Sequence, residues 1–153
     1  MHFSSALLGG TLGKGEFDNS RVQDGSVGAR YIPAIEKRTK TRVQKDEGEY
    51  DYDLFGRSNF EYFPLQMGNG QYKVYIFENI EGTRYRVAKS QSVTADIQNP
   101  LKVYLASVQT VNWNEDMEAV KKAAELTKNL KTDREKINAV YRFVVENISY
   151  DYD

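Results

Sequence analysis

The chain has 153 residues, 40% of them hydrophobic and 28% charged, with a net charge of −1. That is enough chain to bury a core and points to one good domain or two small ones; the near-neutral charge gives no general pull toward nucleic acid or acidic membranes. With no cysteine and a single histidine, His2, the chain excludes disulfides, thiolate zinc sites and a cysteine nucleophile among these residues. It also excludes a Ser-His-Asp arrangement, and a metal would have to be held by carboxylates alone.

Residues 1–23 are rich in Gly and Ser, lack periodicity and read as a flexible start. The apolar patch Ala6-Leu7-Leu8 has neither the basic flank nor the length of a secretory signal, and no window is long and apolar enough for a membrane span. From residue 24 to 98 the pattern is β. "SVGARYIP" is a strand ended by Pro33, "AIEKRTK" a charged loop and "TRVQKD" a strand, followed by a turn at Glu47-Gly48. "EYDYDLF" alternates, with Tyr50, Tyr52 and Leu54 on one face and Asp51 and Asp53 on the other. "FEYFPLQM" is extended, with Pro64 marking an edge or bend, and Gly68-Asn69-Gly70 carries a hairpin signal. "QYKVYIFENI" is the strongest strand, with Tyr72, Val74 and Ile76 on one face and Lys73, Tyr75 and Phe77 on the other; "EGTR" turns the chain into "YRVAKSQSVTADI". Short strands spaced by turns over this length predict a compact antiparallel sandwich of immunoglobulin-like size.

Asn99-Pro100 breaks the β pattern, and "LKVYLASVQTVNW" reads as an extended connector or strand lying against the next unit. "NEDMEAVKKAAELTKNL" is a helix with Asn114 as its N-cap and a modest stripe of Val120, Ala123, Ala124, Thr127 and Leu130. The last helix is better specified. Thr132 and Glu135 form a capping box, and Ile137, Val140, Tyr141, Val144, Val145 and Ile148 make a full-width apolar face that demands a partner.

Three groups of side chains are candidates for binding. The eleven tyrosines and seven phenylalanines could form a platform for a protein or cell-wall polymer, against their simpler use as core and cross-strand pairs. Asp46, Glu47, Glu49, Asp51 and Asp53 lack the spacing of a calcium loop and read as a solvated strand face. The basic run Glu36 to Arg42 reads as a solvated loop, without the interleaved aromatics of a nucleic-acid site.

The phrase "TDREKINAVYRFVVENISYDYD", Thr132 to Asp153, resembles the opening of the transglutaminase-like domain of bacterial proteins, a papain-related cysteine-enzyme fold. Upstream, Phe63-Pro64-Leu65, Gly68-Asn69-Gly70-Gln71-Tyr72 and Gly82-Thr83-Arg84-Tyr85 are similar to the β-rich region ahead of that domain in some members. The resemblance covers about residues 56–153. It implies an α+β chain: an immunoglobulin-like β-sandwich over 24–98, then a linker and two helices over 99–153 that begin an incomplete transglutaminase-like domain of protease or amide-transfer type. It implies an extracellular or cell-envelope setting and, for a chain cut there, a last helix open to dimerisation. No residue matches the family's cysteine, histidine or aspartate, so no catalytic, cofactor-binding or metal residue is assigned. The alternative is a non-enzymatic β-sandwich that binds a cell-surface polymer or a protein.

Overall fold

The computed structural model describes residues 12–149; the readings made on His2, on Ala6-Leu7-Leu8 and on residues 150–153 lie outside them. The chain is α+β and divides into two compact units, Met1–Val111 and Asn112–Asp153.

In the first unit the strands are β1 (Lys14–Asp18), β2 (Ser26–Ile32), β3 (Thr39–Lys45), β4 (Gly48–Asp53), β5 (Glu61–Pro64), β6 (Gly70–Glu81) and β7 (Arg84–Ala95). They form two antiparallel sheets, of order β1-β2-β5 and β4-β3-β6-β7. The sheets bury one common core. Val27, Ala29, Tyr31 and Phe63 come from the first sheet and Val43, Tyr72, Val74, Ile76 and Val93 from the second. Tyr72, Val74 and Ile76 are each fully buried, as the alternation of β6 requires when one face of a strand meets a core. Along β4 the alternation holds but burial fades toward the hairpin. Leu54 is buried, Tyr52 is half-buried against Phe63 at a ring distance of 5.1 Å, and Tyr50 is exposed. The β3–β4 turn falls on Asp46-Glu47, one residue earlier than expected. Asp46 takes the left-handed conformation, φ 52°, which a short polar side chain tolerates.

Four expectations are corrected. Lys14–Asp18 belongs to a strand, not to a loose start, and pairs with β2 from Lys14↔Ile32 to Asp18↔Gly28. The glycines in it and just before it serve close approach. A Cβ on Gly13 would lie 2.1 Å from the Ile32 carbonyl oxygen, and one on Gly15 3.1 Å from the Tyr31 ring. Gly68-Asn69-Gly70 does not close a hairpin, because β5 pairs with β2 and β6 with β3 and β7. The segment crosses between sheets, held by the Tyr72 hydroxyl, which accepts from Met67 N–H at 3.0 Å and lies 3.1 and 2.6 Å from the Leu65 and Gly68 carbonyls. Residues 99–111 are not an extended linker but part of this unit. They contain the single-turn helix α1 (Lys102–Leu105), and Val103 and Val108 are buried. Finally, Asn114 does not cap the next helix. Its Oδ1 accepts from Asp116 N–H at 2.9 Å in a local turn, and the helix starts only at Glu118.

The second unit is a helical hairpin, α2 (Glu118–Thr127) and α3 (Asp133–Asn147). The capping box forms as expected. Thr132 Oγ1 accepts from Glu135 N–H, and the Glu135 carboxylate accepts from Thr132 N–H at 2.9 Å. No helix of the described residues is long and apolar enough to cross a membrane.

Candidate functional site

Two features of the structure invite a ligand or partner, one in each unit. The first lies at one end of the β unit, where the β2–β3 loop (33–38) meets the β4–β5 loop (54–60). Backbone hydrogen bonds fix the approach: Leu54 N–H to Thr39 O at 2.9 Å, Asn79 N–H to Arg38 O at 2.9 Å and Tyr31 N–H to Gly56 O at 2.9 Å. Between the loops opens a pocket of ≈ 450 Å³ whose lining includes Glu36, Lys37, Arg38, Asp53, Phe55 and Arg57. Leu54 is buried beneath it, while the Phe55 side chain is 67% exposed.

Arg57 is anchored along one edge of its guanidinium. Its Nη1 donates to Thr39 Oγ1 at 3.1 Å, Leu54 O at 3.2 Å and Tyr31 O at 3.4 Å. Its Nη2 donates to Glu36 Oε1 at 3.1 Å, a carboxylate whose side chain is 84% exposed. The carboxylates around the pocket are shared. Arg38 and Lys40 both lie 3.7 Å from Asp53, and Lys37 and Arg86 lie 3.6 and 2.7 Å from Glu78.

Beneath this end Glu78 is buried, although it is charged. Tyr31, from the opposite sheet, donates its hydroxyl to Glu78 Oε2 at 2.6 Å and accepts from Gly13 N–H at 2.7 Å. Burial pushes the Glu78 carboxyl up, but hydrogen bonds from Tyr31 and Arg86 and the charges of Arg86 and Lys37 outweigh it, so the group stays below the usual carboxylate value. Burial, and next the hydrogen bond to Glu78, push the Tyr31 phenol up to about 12. The network ties the two sheets together, since a buried charge is tolerated only when paired and hydrogen-bonded.

The other candidates from the sequence are absorbed by ion pairs or packing. Arg42 is buried and bidentate on Asp51, with Nε–Oδ1 at 2.6 Å and Nη2–Oδ2 at 2.8 Å, and it meets Glu49 at 2.7 Å. The Asp51 hydrogen bonds, opposed by burial and joined by the Asp51 and Glu49 charges, raise the Arg42 pKa. Asp46 pairs with Lys45 and Asp53 with Arg38 and Lys40. Asp46, Glu49, Asp51 and Asp53 are therefore each paired with a cation, and Glu47 is exposed. Tyr75 stacks on Phe77 with ring centroids 5.7 Å apart, and Phe77 is buried.

The second feature is α3. Val120, Ala123 and Leu126 on α2, Leu130 beyond its end, and Ala139, Val140 and Phe143 on α3 are half-buried, but no residue of either helix is fully buried. The face expected to lie in a core is open: Ile137 is 67% exposed, Tyr141 66%, Val145 61% and Ile148 61%. Ile137, Val140 and Tyr141, with Lys136, line a shallow apolar depression of ≈ 400 Å³.

The sequence placed no residue in the pocket. The basic run Glu36 to Arg42, a solvated loop by its sequence, is one only in its first part, since Thr39–Arg42 belong to β3 and Arg42 is buried, and Arg57 carries no local signal. Only the pairing of β3 with both β4 and β6 brings these loops together, and no local pattern announces it. Comparison of the chain with protein-family models, with curated proteins and with solved structures finds no match.

Proposed function

We propose that the chain is an accessory β-sandwich of immunoglobulin-like type joined to the first helices of a transglutaminase-like domain, and that the helices are completed by further polypeptide. One observation carries the reading: α3 has a capped, well-formed start yet leaves Ile137, Tyr141, Val145 and Ile148 mostly exposed. Together these side chains expose on the order of 500 Å² of apolar surface, the upper end of what monomers leave open. The resemblance of Thr132–Asp153 to the start of the transglutaminase-like domain supports what would complete them. In this role the β unit positions a substrate or anchors the enzyme, and the catalytic groups come from outside these residues.

Hydrogen exchange on the chain as expressed tests the first part. The amides of α3 are expected to be about a hundredfold or more less protected than those of Val74 and Ile76 in β6. A monomer whose α3 is protected as strongly as β6 would overturn it. The coding sequence downstream of Asp153 tests the second part. A cysteine followed by a histidine and an aspartate supports it, and a stop codon directly after Asp153 sinks it.

A second reading, a non-enzymatic module for a cell-surface polymer or protein, is favoured by the pocket between the β2–β3 and β4–β5 loops.

A further inference from the structure

We propose that this pocket binds a carboxylate carried on an apolar, preferably aromatic, group. The inference rests on the β unit alone and is independent of what completes the helical hairpin.

Charge is the first argument. Five cations gather at this end of the unit, Lys37, Arg38, Lys40, Arg57 and Arg86, against four carboxylates, Glu36, Asp53, Glu61 and Glu78. Asp53 and Glu78 are each divided between two cations, so the local excess is positive although the whole chain carries −1. An anion entering the pocket relieves that excess.

Arg57 makes the anion a carboxylate. A guanidinium presents its donors as a planar fork matched to two carboxylate oxygens. Three acceptors hold Nη1 in place, so the guanidinium is oriented before any ligand arrives, Nη2 is the nitrogen a ligand meets, and little side-chain entropy is lost on binding. Its outer nitrogen, Nη2, already holds a carboxylate, that of Glu36, on a side chain 84% exposed. An exposed pair of this kind contributes little, so an incoming carboxylate can take its place. Arg38, with its side chain 68% exposed, stands ready as a second cation.

Phe55 makes the rest of the ligand apolar. Its side chain is 67% exposed on the pocket wall, while its N–H is tied to Glu61 Oε2 at 2.9 Å. An exposed aromatic ring on a tethered backbone offers a flat face for stacking at low entropic cost. A volume of ≈ 450 Å³ suits a small molecule or one terminal side chain of a peptide.

The chemistry has two sources, a free aromatic acid or the C-terminus of a peptide ending in an aromatic residue. The test is a two-dimensional amide NMR titration of the full chain with 3-phenylpropionate, 3-phenylpropionamide, inorganic phosphate, and a tripeptide ending in Phe with a free or an amidated terminus. Phenylpropionate is expected to shift the amides of residues 36–39 and 53–57 with a Kd on the order of 1 mM, as befits so small a ligand. The amides should bind at least about tenfold more weakly, the loss of a charge-assisted contact. Tighter binding of the free-terminus tripeptide than of phenylpropionate assigns a peptide terminus, and the reverse assigns a free acid. Glu36→Gln is expected to tighten binding about threefold by removing the competing carboxylate, and Arg38→Ala to weaken it by a similar factor. Because Arg57 also holds two backbone carbonyls, the gain in Glu36→Gln is the decisive variant. Equal binding of acid and amide, tighter binding of phosphate than of phenylpropionate, or no shift at these residues would each overturn the proposal.

Discussion

Replacing Tyr31 by Phe isolates the strongest polar tie between the two sheets. The ring stays and fills the same core volume, but two hydrogen bonds go: the 2.6 Å bond to the buried Glu78 carboxylate and the 2.7 Å bond from Gly13 N–H. A hydrogen bond to a charged group contributes about 1.5–3 kcal/mol, and leaving a part-buried N–H without its acceptor adds more. The expected loss at neutral pH is therefore about 2–4 kcal/mol. Glu78 keeps Arg86 and Lys37, which bounds the cost. In urea this moves the unfolding midpoint of the β unit down by about 1–2 M, read from the amide signals of β3 and β6.

The pH dependence is the sharper check. The Tyr31 phenol titrates near 12 in the folded state against 10 for a free tyrosine, so the folded chain holds its proton where the unfolded chain has lost it. This contribution is fully present below pH 10 and is lost as pH rises toward 12, by about 3 kcal/mol. Tyr31→Phe cannot show that loss. The gap between the parent and the variant must shrink by about this amount between pH 9 and 12. Other buried tyrosines titrate equally in both proteins and cancel. On the acid side, Glu78 titrates below its free value, so its contribution is present above that value and disappears as pH falls through the folded one. In Tyr31→Phe this disappearance should begin at higher pH. A variant within about 0.5 kcal/mol of the parent at pH 7, or a gap that does not change up to pH 12, would refute the reasoning.

Two further substitutions probe the packing. Gly25 adopts φ +91°, and a Cβ there would lie 2.9 Å from Val103 Cα and 2.6 Å from Val103 Cγ2. Gly25→Ala should cost roughly 2–3 kcal/mol in chemical denaturation, and a neutral result would mean that α1 does not pack as described. Thr132→Ala removes half of the α3 capping box and should cost that helix about 1 kcal/mol, seen as reduced helical circular dichroism with the β6 amides unchanged. If β6 loses protection in the same variant, the two units do not unfold separately.

Local patterns carried much of the fold. The alternation of Tyr72, Val74 and Ile76, the turn chemistry at Glu81–Arg84 and the Thr132/Glu135 box are each written within a few residues, and each appears where it was read. Gly13 and Gly15 looked like flexibility because a glycine that permits a close contact and one that permits a loose chain are the same residue; the Tyr31 ring that distinguishes them lies on another strand. The segment at Gly68–Gly70 has every mark of a hairpin, yet whether two strands on either side of a turn pair with each other depends on competing partners. Here β2 took β5, and β3 took β6.

By itself, then, the sequence determined most strands, the two longer helices and their apolar faces, because those properties follow from side-chain period and backbone preference over short range; β1 and α1 escaped it. Tertiary structure alone decided what those faces and charges do. Glu78 became the buried centre of a network because a tyrosine from the opposite sheet reaches it. Arg57 came to line a pocket because two loops meet at the ends of β3 and β4. The apolar face of α3, legible as a core surface from its spacing, is open within the hairpin, where Ile137, Tyr141, Val145 and Ile148 stay mostly exposed.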